Sequence, residues 1–345
     1  MKKTRIAING FGRIGRSFFR AAFAGRSSEA LAKEDGLFIV AVNDLSDTKT
    51  LAYLLKYDSV YGRYGKNVEA KDGYFEVDGK EVKVFAEKDP KNLPWKDLGV
   101  DIVVESTGFF TDGEKAKAHI EAGAKRVVIT APANGDALTA LIGVNDDRFN
   151  GEHPVTCNAS CTTNSVAPVL QILLENFGIK DAMLTTVHGY TATQKLVDGP
   201  DAKDVRRGRA AGVNIVPSST GASEAVTKAI PALEGKFDAD SIRVPTITGS
   251  LSIITAKLEK SVSIENLKDV FKKSAKDPRW EKVLKVTEDP IVSTDIIGEP
   301  YGAIVDLSLT KVVGADLVKV FSWYDNEAGY TATLVEHVKR VAQGI

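Results

Sequence analysis

Two residue types in this chain could carry covalent chemistry, and both are scarce: two cysteines, Cys157 and Cys161, and four histidines. Cys161 lies in Ala159-Ser160-Cys161-Thr162-Thr163-Asn164, a polar segment between the strand-like run Val155-Thr-Cys-Asn158 and Val166-Ala-Pro-Val-Leu-Gln-Ile-Leu-Leu174, which reads as a helix. A thiol at a helix start faces free N–H groups and the positive end of the dipole, both of which favour its thiolate. Cys161 is therefore a candidate nucleophile, whereas Cys157, inside the apolar run, reads as a buried strand residue. Of the histidines, His188 ends the strand-like run Asp181–His188 and enters the polar turn Gly189-Tyr-Thr-Ala-Thr-Gln194, where catalytic side chains tend to project. His119 and His337 fall in helical stretches and His153 in a loop, positions suited to solvated or packing roles. Paired with Cys161, His188 suggests a thiolate–imidazolium couple in which histidine lowers the thiol pKa and later moves protons.

A second chemistry-bearing pattern opens the chain. The short apolar run Thr4–Asn9 leads into Gly10-Phe-Gly12-Arg-Ile-Gly15 and then into Arg16-Ser-Phe-Phe-Arg-Ala-Ala-Phe23 at helical spacing. Gly10 permits the tight turn, Gly12 lets backbone approach a pyrophosphate, and Gly15 lets the helix pack on the strand. A second strand, Leu37-Phe-Ile-Val-Ala-Val-Asn-Asp44, ends in an acid placed to bind a ribose 2′-hydroxyl. A carboxylate there repels a 2′-phosphate, so the pattern favours NAD over NADP. As a bland alternative, Asp44 could cap the helix that follows it.

The elements around these residues alternate to about residue 150. A hairpin turns through Asp78-Gly79, the near-continuous apolar runs Asp101–Gly108 and Lys125–Thr130 have the character of parallel strands buried on both faces, and Glu114–Ala122 is the helix between them. After a helix at 165–177 the texture changes to period-2 strands at 181–188, 241–246, 250–258, 302–309 and 317–324, with helices near 222–230 and 263–276. The expected fold class is α/β: a Rossmann-type doubly wound sheet over 1–159, joined by a C-terminal helix at 326–345, plus an α+β catalytic domain at 160–325 with a mostly antiparallel sheet. The long polar stretch 189–216, carrying Arg206, Arg207 and Arg209, is too long for an idle connection and reads as a functional or subunit-contact loop.

Composition narrows the function classes. The 345 residues carry 45 basic and 46 acidic side chains, a net charge of −1, which gives no general drive towards nucleic acid or membrane surfaces. Two cysteines exclude a disulfide framework and suit a reducing, cytoplasmic setting; no stretch approaches the roughly 20 apolar residues of a membrane span, and no metal-ligand cluster is evident.

Taken in order, the strings Ile8-Asn-Gly-Phe-Gly-Arg-Ile-Gly-Arg16, Val104-Glu-Ser-Thr-Gly108, Asn158-Ala-Ser-Cys-Thr-Thr-Asn164, Thr185-Thr-Val-His188, Thr191-Ala-Thr-Gln-Lys195, Ser219-Thr-Gly221, Arg243-Val-Pro-Thr246 and Trp323-Tyr-Asp-Asn-Glu327 make the sequence resemble the phosphorylating glyceraldehyde-3-phosphate dehydrogenases of glycolysis over nearly the whole chain. The resemblance implies attack of Cys161 on the aldehyde with His188 as base, hydride transfer to NAD, and release of the resulting thioester by inorganic phosphate as an acyl phosphate. It assigns Thr191 and Arg243 to the substrate phosphate, with Ser160, Thr162, Thr220, Gly221 and Arg207 completing the set that binds the two phosphates. On the cofactor side it assigns Gly10, Gly12, Arg13, Ile14 and Gly15 to the pyrophosphate turn and Asp44 to the adenine ribose. Lys88 and Thr130 are placed near the adenine half, with Asn326 and Tyr330 at the nicotinamide. It also implies a homotetramer. The sequence departs from the family pattern at Lys88, where arginine is common, at Thr248-Gly-Ser-Leu-Ser-Ile-Ile254, at Ala328 and at Thr333. An erythrose-4-phosphate dehydrogenase and a catalytically silent cofactor-binding homologue are the rival readings.

Overall fold

The computed structural model describes residues 3–24, 36–202 and 204–345. They divide into two compact units, Met1–Ala140 with Asp146–Ala159 and Leu334–Ile345, and Leu141–Asn145 with Ser160–Thr333.

The first unit holds a nine-stranded sheet. Its strands are β1 (Thr4–Asn9), β2 (Leu37–Asn43), β3 (Val68–Lys71), β4 (Tyr74–Val77), β5 (Lys80–Phe85), β6 (Ile102–Glu105), β7 (Arg126–Ile129), β8 (Leu138–Thr139) and β9 (Val155–Cys157), in the order β3-β4-β5-β2-β1-β6-β7-β9-β8. From β5 to β8 every neighbouring pair is parallel. Helices α1 (Arg13–Ala24), α2 (Thr48–Lys56), α3 (Gly113–Ala116) and α4 (Ala118–Glu121) connect them. The order reverses between β1 and β6, and in such sheets ligands bind beyond the carboxyl ends of the strands at that point. The β4–β5 hairpin turns through Asp78 (φ 47°) and Gly79 (φ 76°), the left-handed pair that a two-residue turn requires. Instead of one helix over 114–122 the chain forms two short ones, because Ile120 N bonds back three residues to Lys117 O and tightens the turn. The strand-like run at 155–158 forms β9, the last strand of this unit in chain order, and the two-residue β8 lies outside it at the sheet edge.

Phe11, Phe18 and Phe19 are wholly buried. The Phe11 ring packs on Phe19 and Phe75 with centroids 5.7 Å apart in both pairs, anchoring the glycine turn to the hydrophobic core. Each such ring contributes roughly 1.5–3 kcal/mol through burial.

The second unit is built on α5 (Cys161–Phe177), β10 (Ile179–Gly189), β11 (Val216–Ser219), α6 (Ala222–Ala229), β12 (Phe237–Val244), β13 (Ser250–Leu258), α7 (Ile264–Ser274), β14 (Leu284–Thr287), β15 (Ala303–Val313) and β16 (Leu317–Tyr324). The seven strands run in the order β11-β12-β10-β13-β16-β15-β14, antiparallel except for the parallel pairs β10/β12 and β14/β15. Helix α5 packs against β10, β13, β15 and β16. Helix α8 (Ala328–Gln343) follows β16 and contributes its first residues to this unit. The edge strands β11 and β14 have weak sequence signals, since each spans only four residues and β11 contains Pro217.

Candidate active site

Helix α5 begins at Cys161 itself, ahead of the apolar run that starts at Val166. The reason is local: Ser160 has extended backbone (φ −102°, ψ 166°), and its Oγ accepts from Thr163 N at 3.0 Å, capping the helix. The residue before the cap, Ala159, has φ 51°, a conformation that costs a non-glycine residue energy and that the flanking elements must hold. The Cys161 sulfur is thereby fixed at the first helical position, 3.4 Å from His188 Nε2.

His188 and Arg243 come together through sheet register. His188 on β10 is paired with Arg243 on the parallel β12 and with Ser250 on the antiparallel β13. The ring is 3% exposed. Its Nδ1 lies 2.6 Å from the Gly189 carbonyl, and Arg243 Nη1 abuts the same nitrogen and reaches that carbonyl at 3.3 Å. Nδ1 thus lies between a carbonyl that only accepts and a guanidinium that only donates; in the tautomer whose Nδ1–H goes to the carbonyl, the Nε2 lone pair faces sulfur and can take the thiol proton. Burial pushes the imidazole pKa down to about 3, with the Arg243 charge acting in the same direction. Burial also pushes the Cys161 thiol up, while Arg243 and the N–H and hydroxyl of Thr162 pull it down. Isolated charges are thus disfavoured at both groups. Transfer of one proton across 3.4 Å makes the two opposite charges together, with the sulfur anion at the helix start and beside a guanidinium.

Arg243 is itself weakened in its hold on a proton by burial and by the nearby charge of Arg207. Two guanidinium groups that feel each other in this way suit an anionic ligand. Arg207 is held by Ser218, whose Oγ accepts from Nε at 3.3 Å and from Nη2 at 3.1 Å. Thr191 pairs its hydroxyl with Thr193 at 2.9 Å, and Thr220 Oγ1 accepts from Ala222 N at 3.2 Å. Gly221 precedes α6 with open space around its Cα. The Thr162 hydroxyl turns inward, 3.0 Å from Tyr324 OH, and that residue is 4% exposed. Ser160 therefore stays beside the sulfur as the helix cap, whereas Thr162 bonds into the core.

In the first unit the glycine turn follows β1. Gly10 has φ 87°, and a Cβ there would meet Ser106 backbone at 2.6 Å; a Cβ on Gly15 would strike the Gly10 carbonyl oxygen. Around Gly12 nothing stands within 4 Å, which leaves the backbone open to a ligand. The cap of α2 is Asp47, whose Oδ1 takes Thr50 N at 2.9 Å. Asp44 is released from capping: its Oδ2 accepts from Phe11 N at 2.8 Å and its Oδ1 from Ser46 N at 3.0 Å. A carboxylate thus joins the end of β2 to the turn. Arg13 opens α1, paired with Asp58 and lying over the Tyr61 ring, with Ile14 half-buried next to it. Lys88 is exposed, and half-buried Thr130 donates its N–H to Glu105 O at 3.0 Å.

In the second unit, the Asn326 carbonyl oxygen accepts from Gly249 N at 3.0 Å and from the hydroxyls of Thr248 and Ser250, each at 3.2 Å. This orients its amide nitrogen away from those donors. Tyr330, on α8, is 3% exposed.

Comparison with known proteins matches these two halves separately. Residues 4–113 fit the family pattern of the glyceraldehyde 3-phosphate dehydrogenase NAD-binding domain, and residues 160–326 fit that of the C-terminal domain. The chain belongs to the glyceraldehyde-3-phosphate dehydrogenase family. It is 48% identical over 344 residues to the glyceraldehyde-3-phosphate dehydrogenase of Clostridium pasteurianum, covering 99% of both chains. It is 49% identical over 335 residues to that of Clostridium acetobutylicum, covering 96% of each. The enzyme of that name from Borreliella burgdorferi is 46% identical over 345 residues, 98% of this chain and 100% of the relative.

The family's cofactor is NAD, and the open backbone at Gly12 together with the acid at the end of β2 fits a dinucleotide. Some residues that shape the site escaped sequence reasoning. Tyr324 places its OH 2.7 Å from Thr186 and 3.0 Å from Thr162, and its ring meets His188 edge-on at 5.9 Å, so it fixes the histidine's position. Thr248 falls in the stretch that departs from the family pattern, yet it supplies a donor to Asn326. The signal for Tyr324 was its place beside Asn326 in Trp323-Tyr-Asp-Asn; for Thr248 there was none.

Proposed function

We propose that this chain oxidises D-glyceraldehyde 3-phosphate to 1,3-bisphosphoglycerate, using NAD and inorganic phosphate, by way of a thioester on Cys161. The observation that carries this reading is the 3.4 Å approach of Cys161 Sγ to His188 Nε2 at the start of α5. His188 Nε2 takes the thiol proton as sulfur attacks the aldehyde carbon, and the N–H of Cys161 at the helix start meets the developing oxyanion. That proton passes to the oxygen, giving a thiohemiacetal. His188 then removes the hydroxyl proton, and the carbon gives up its hydride, leaving the thioester. NAD supplies the hydride acceptor. Attack by a phosphate oxygen breaks the carbon–sulfur bond, releases the acyl phosphate and regenerates the Cys161 thiolate.

Arg243, Arg207 and Thr191 bind the substrate phosphate in this reading, and Ser160, Thr220 and Gly221 bind the attacking one. Gly10, Gly12, Gly15, Arg13 and Ile14 receive the pyrophosphate, Asp44 the adenine ribose, Lys88 and Thr130 the adenine half. Asn326 directs its amide N–H to the nicotinamide carboxamide, and Tyr330 backs the ring. The free thiols of Cys157 and Cys161 suit a reducing cytoplasm. Among the described residues no helix is long and apolar enough to cross a membrane.

A homotetramer is supported by apolar side chains that stand exposed along 189–216, among them Leu196 (89%), Val205 (81%) and Val213 (80%). Leu251, Ile253, Phe321 and Trp323 on β13 and β16 are also half-exposed. The test is NADH formation from glyceraldehyde 3-phosphate and NAD with and without inorganic phosphate. Sustained turnover only with phosphate supports the scheme, and turnover independent of phosphate refutes it. A monomeric mass by light scattering would refute the tetramer.

A further inference from the structure

Behind the glycine turn lies a buried polar network that the scheme above does not use. Glu105, at the end of β6, is 2% exposed, and His119 beside it is fully buried. The carboxylate is surrounded by donors: Asn9 Nδ2 at 2.6 Å, His119 Nε2 at 3.1 Å, and Thr107 N and Oγ1 at 2.8 and 2.5 Å. Trp95 Nε1, which can only donate, sits 3.0 Å from His119 Nδ1. Nδ1 is therefore the acceptor, the proton is on Nε2, and the histidine donates to Glu105. Asn9 Oδ1 in turn accepts from Asn43 Nδ2 at 2.7 Å, and Asn43 clasps the Glu87 backbone through its N–H (2.8 Å) and its carbonyl (2.9 Å).

We propose that Glu105 is a positioning residue for the dinucleotide, with His119 and Trp95 holding it in place; this inference rests on the NAD-binding reading above. The network joins several of the backbone segments assigned above to the cofactor. Through Asn9 it fixes the end of β1, where the Gly10 turn starts. Through Asn43 it fixes the end of β2, next to Asp44, and the segment carrying Glu87 and Lys88. Through Thr107 it fixes the segment after β6, whose Ser106 Oγ donates to Gly10 O at 2.8 Å. A buried carboxylate is a poor way to gain stability, because desolvation offsets much of the attraction and apolar packing would serve as well. What four convergent donors do supply is a single allowed geometry for three strand ends.

In the full-length protein, Glu105→Gln forces an amide N–H against one of these donors, and NAD affinity measured by calorimetry should weaken at least about tenfold, the effect of one charged hydrogen bond. Turnover at saturating NAD and the rate of Cys161 alkylation by iodoacetamide without NAD should stay within about twofold, a split between KM and kcat that general destabilisation does not produce. His119→Gln, which keeps a donor to Glu105, should bind NAD close to wild type, whereas His119→Phe should match Glu105→Gln. These two variants decide the matter if Glu105→Gln does not fold. NAD affinity unchanged in Glu105→Gln or His119→Phe, or an equal loss in alkylation rate, overturns the proposal. Failure of the wild-type protein to bind NAD would instead overturn the reading beneath it.

Discussion

His337 allows a pH effect to be worked through from the structure. It is fully buried in the first unit, its Nε2 2.7 Å from Thr156 Oγ1 and its Nδ1 3.1 Å from Ala140 O, with the Phe149 ring edge-on at 4.8 Å. Burial lowers its pKa to about 3. In the unfolded chain the value is about 6.5, so below that pH the unfolded state binds a proton that the folded state refuses. Stability is therefore complete above about pH 6.5 and is lost as pH falls towards 3. At pH 5 the loss from this one side chain is about 2 kcal/mol. His337→Gln keeps a donor for Ala140 and an acceptor for Thr156 but cannot take the proton. Its thermal midpoint should gain on wild type by about 4–8 °C on going from about pH 7.5 to about pH 5, by the usual conversion for a unit of this size. Paired melting curves at the two pH values measure this directly. A gap between the two proteins that stays the same at both would refute the argument that His337 is held neutral.

Three substitutions address the chemistry. Cys161→Ser should abolish NADH formation while leaving NAD binding by calorimetry intact; substantial residual turnover would remove Cys161 from the scheme. His188→Asn, which removes the general base, should slow the single-turnover burst of NADH by roughly 10²–10⁴-fold, and an unchanged burst would show that His188 is not the base. Asp44→Ala should raise the use of NADP relative to NAD and weaken NAD itself, since Phe11 N loses its acceptor; an unaltered ratio of the two specificity constants would mean that the carboxylate does not face the ribose.

The parts of this molecule legible in the sequence were those set by local rules. The glycine turn, the Asp78-Gly79 hairpin and strands such as β13 and β16 follow from backbone freedom and from periodicity. What the sequence left open depended on register and on distant partners. Arg243 and His188 are 55 residues apart and meet because β10 and β12 are parallel, a pairing that alternation alone does not specify. Likewise the start of α5 was set by a serine hydroxyl rather than by the apolar pattern, and the inward turn of Thr162 by Tyr324, 162 residues away. The role of Glu105 was hidden for the same reason: its partners Asn9, Asn43, Trp95 and His119 are scattered over the first domain and share no motif.

The sheet edges carry a consequence for life at high concentration. Among the described residues, the outermost strands β3, β8, β11 and β14 have four, two, four and four residues, while inner strands of the second sheet run to eleven. β3 bears Glu69 and Lys71, and β11 contains Pro217, which has no N–H to offer. Unpaired strand edges are templates on which other chains add and precipitate. Here both sheets end in short, charged or proline-interrupted borders, so a crowded solution of this protein has little edge on which to nucleate cross-β growth.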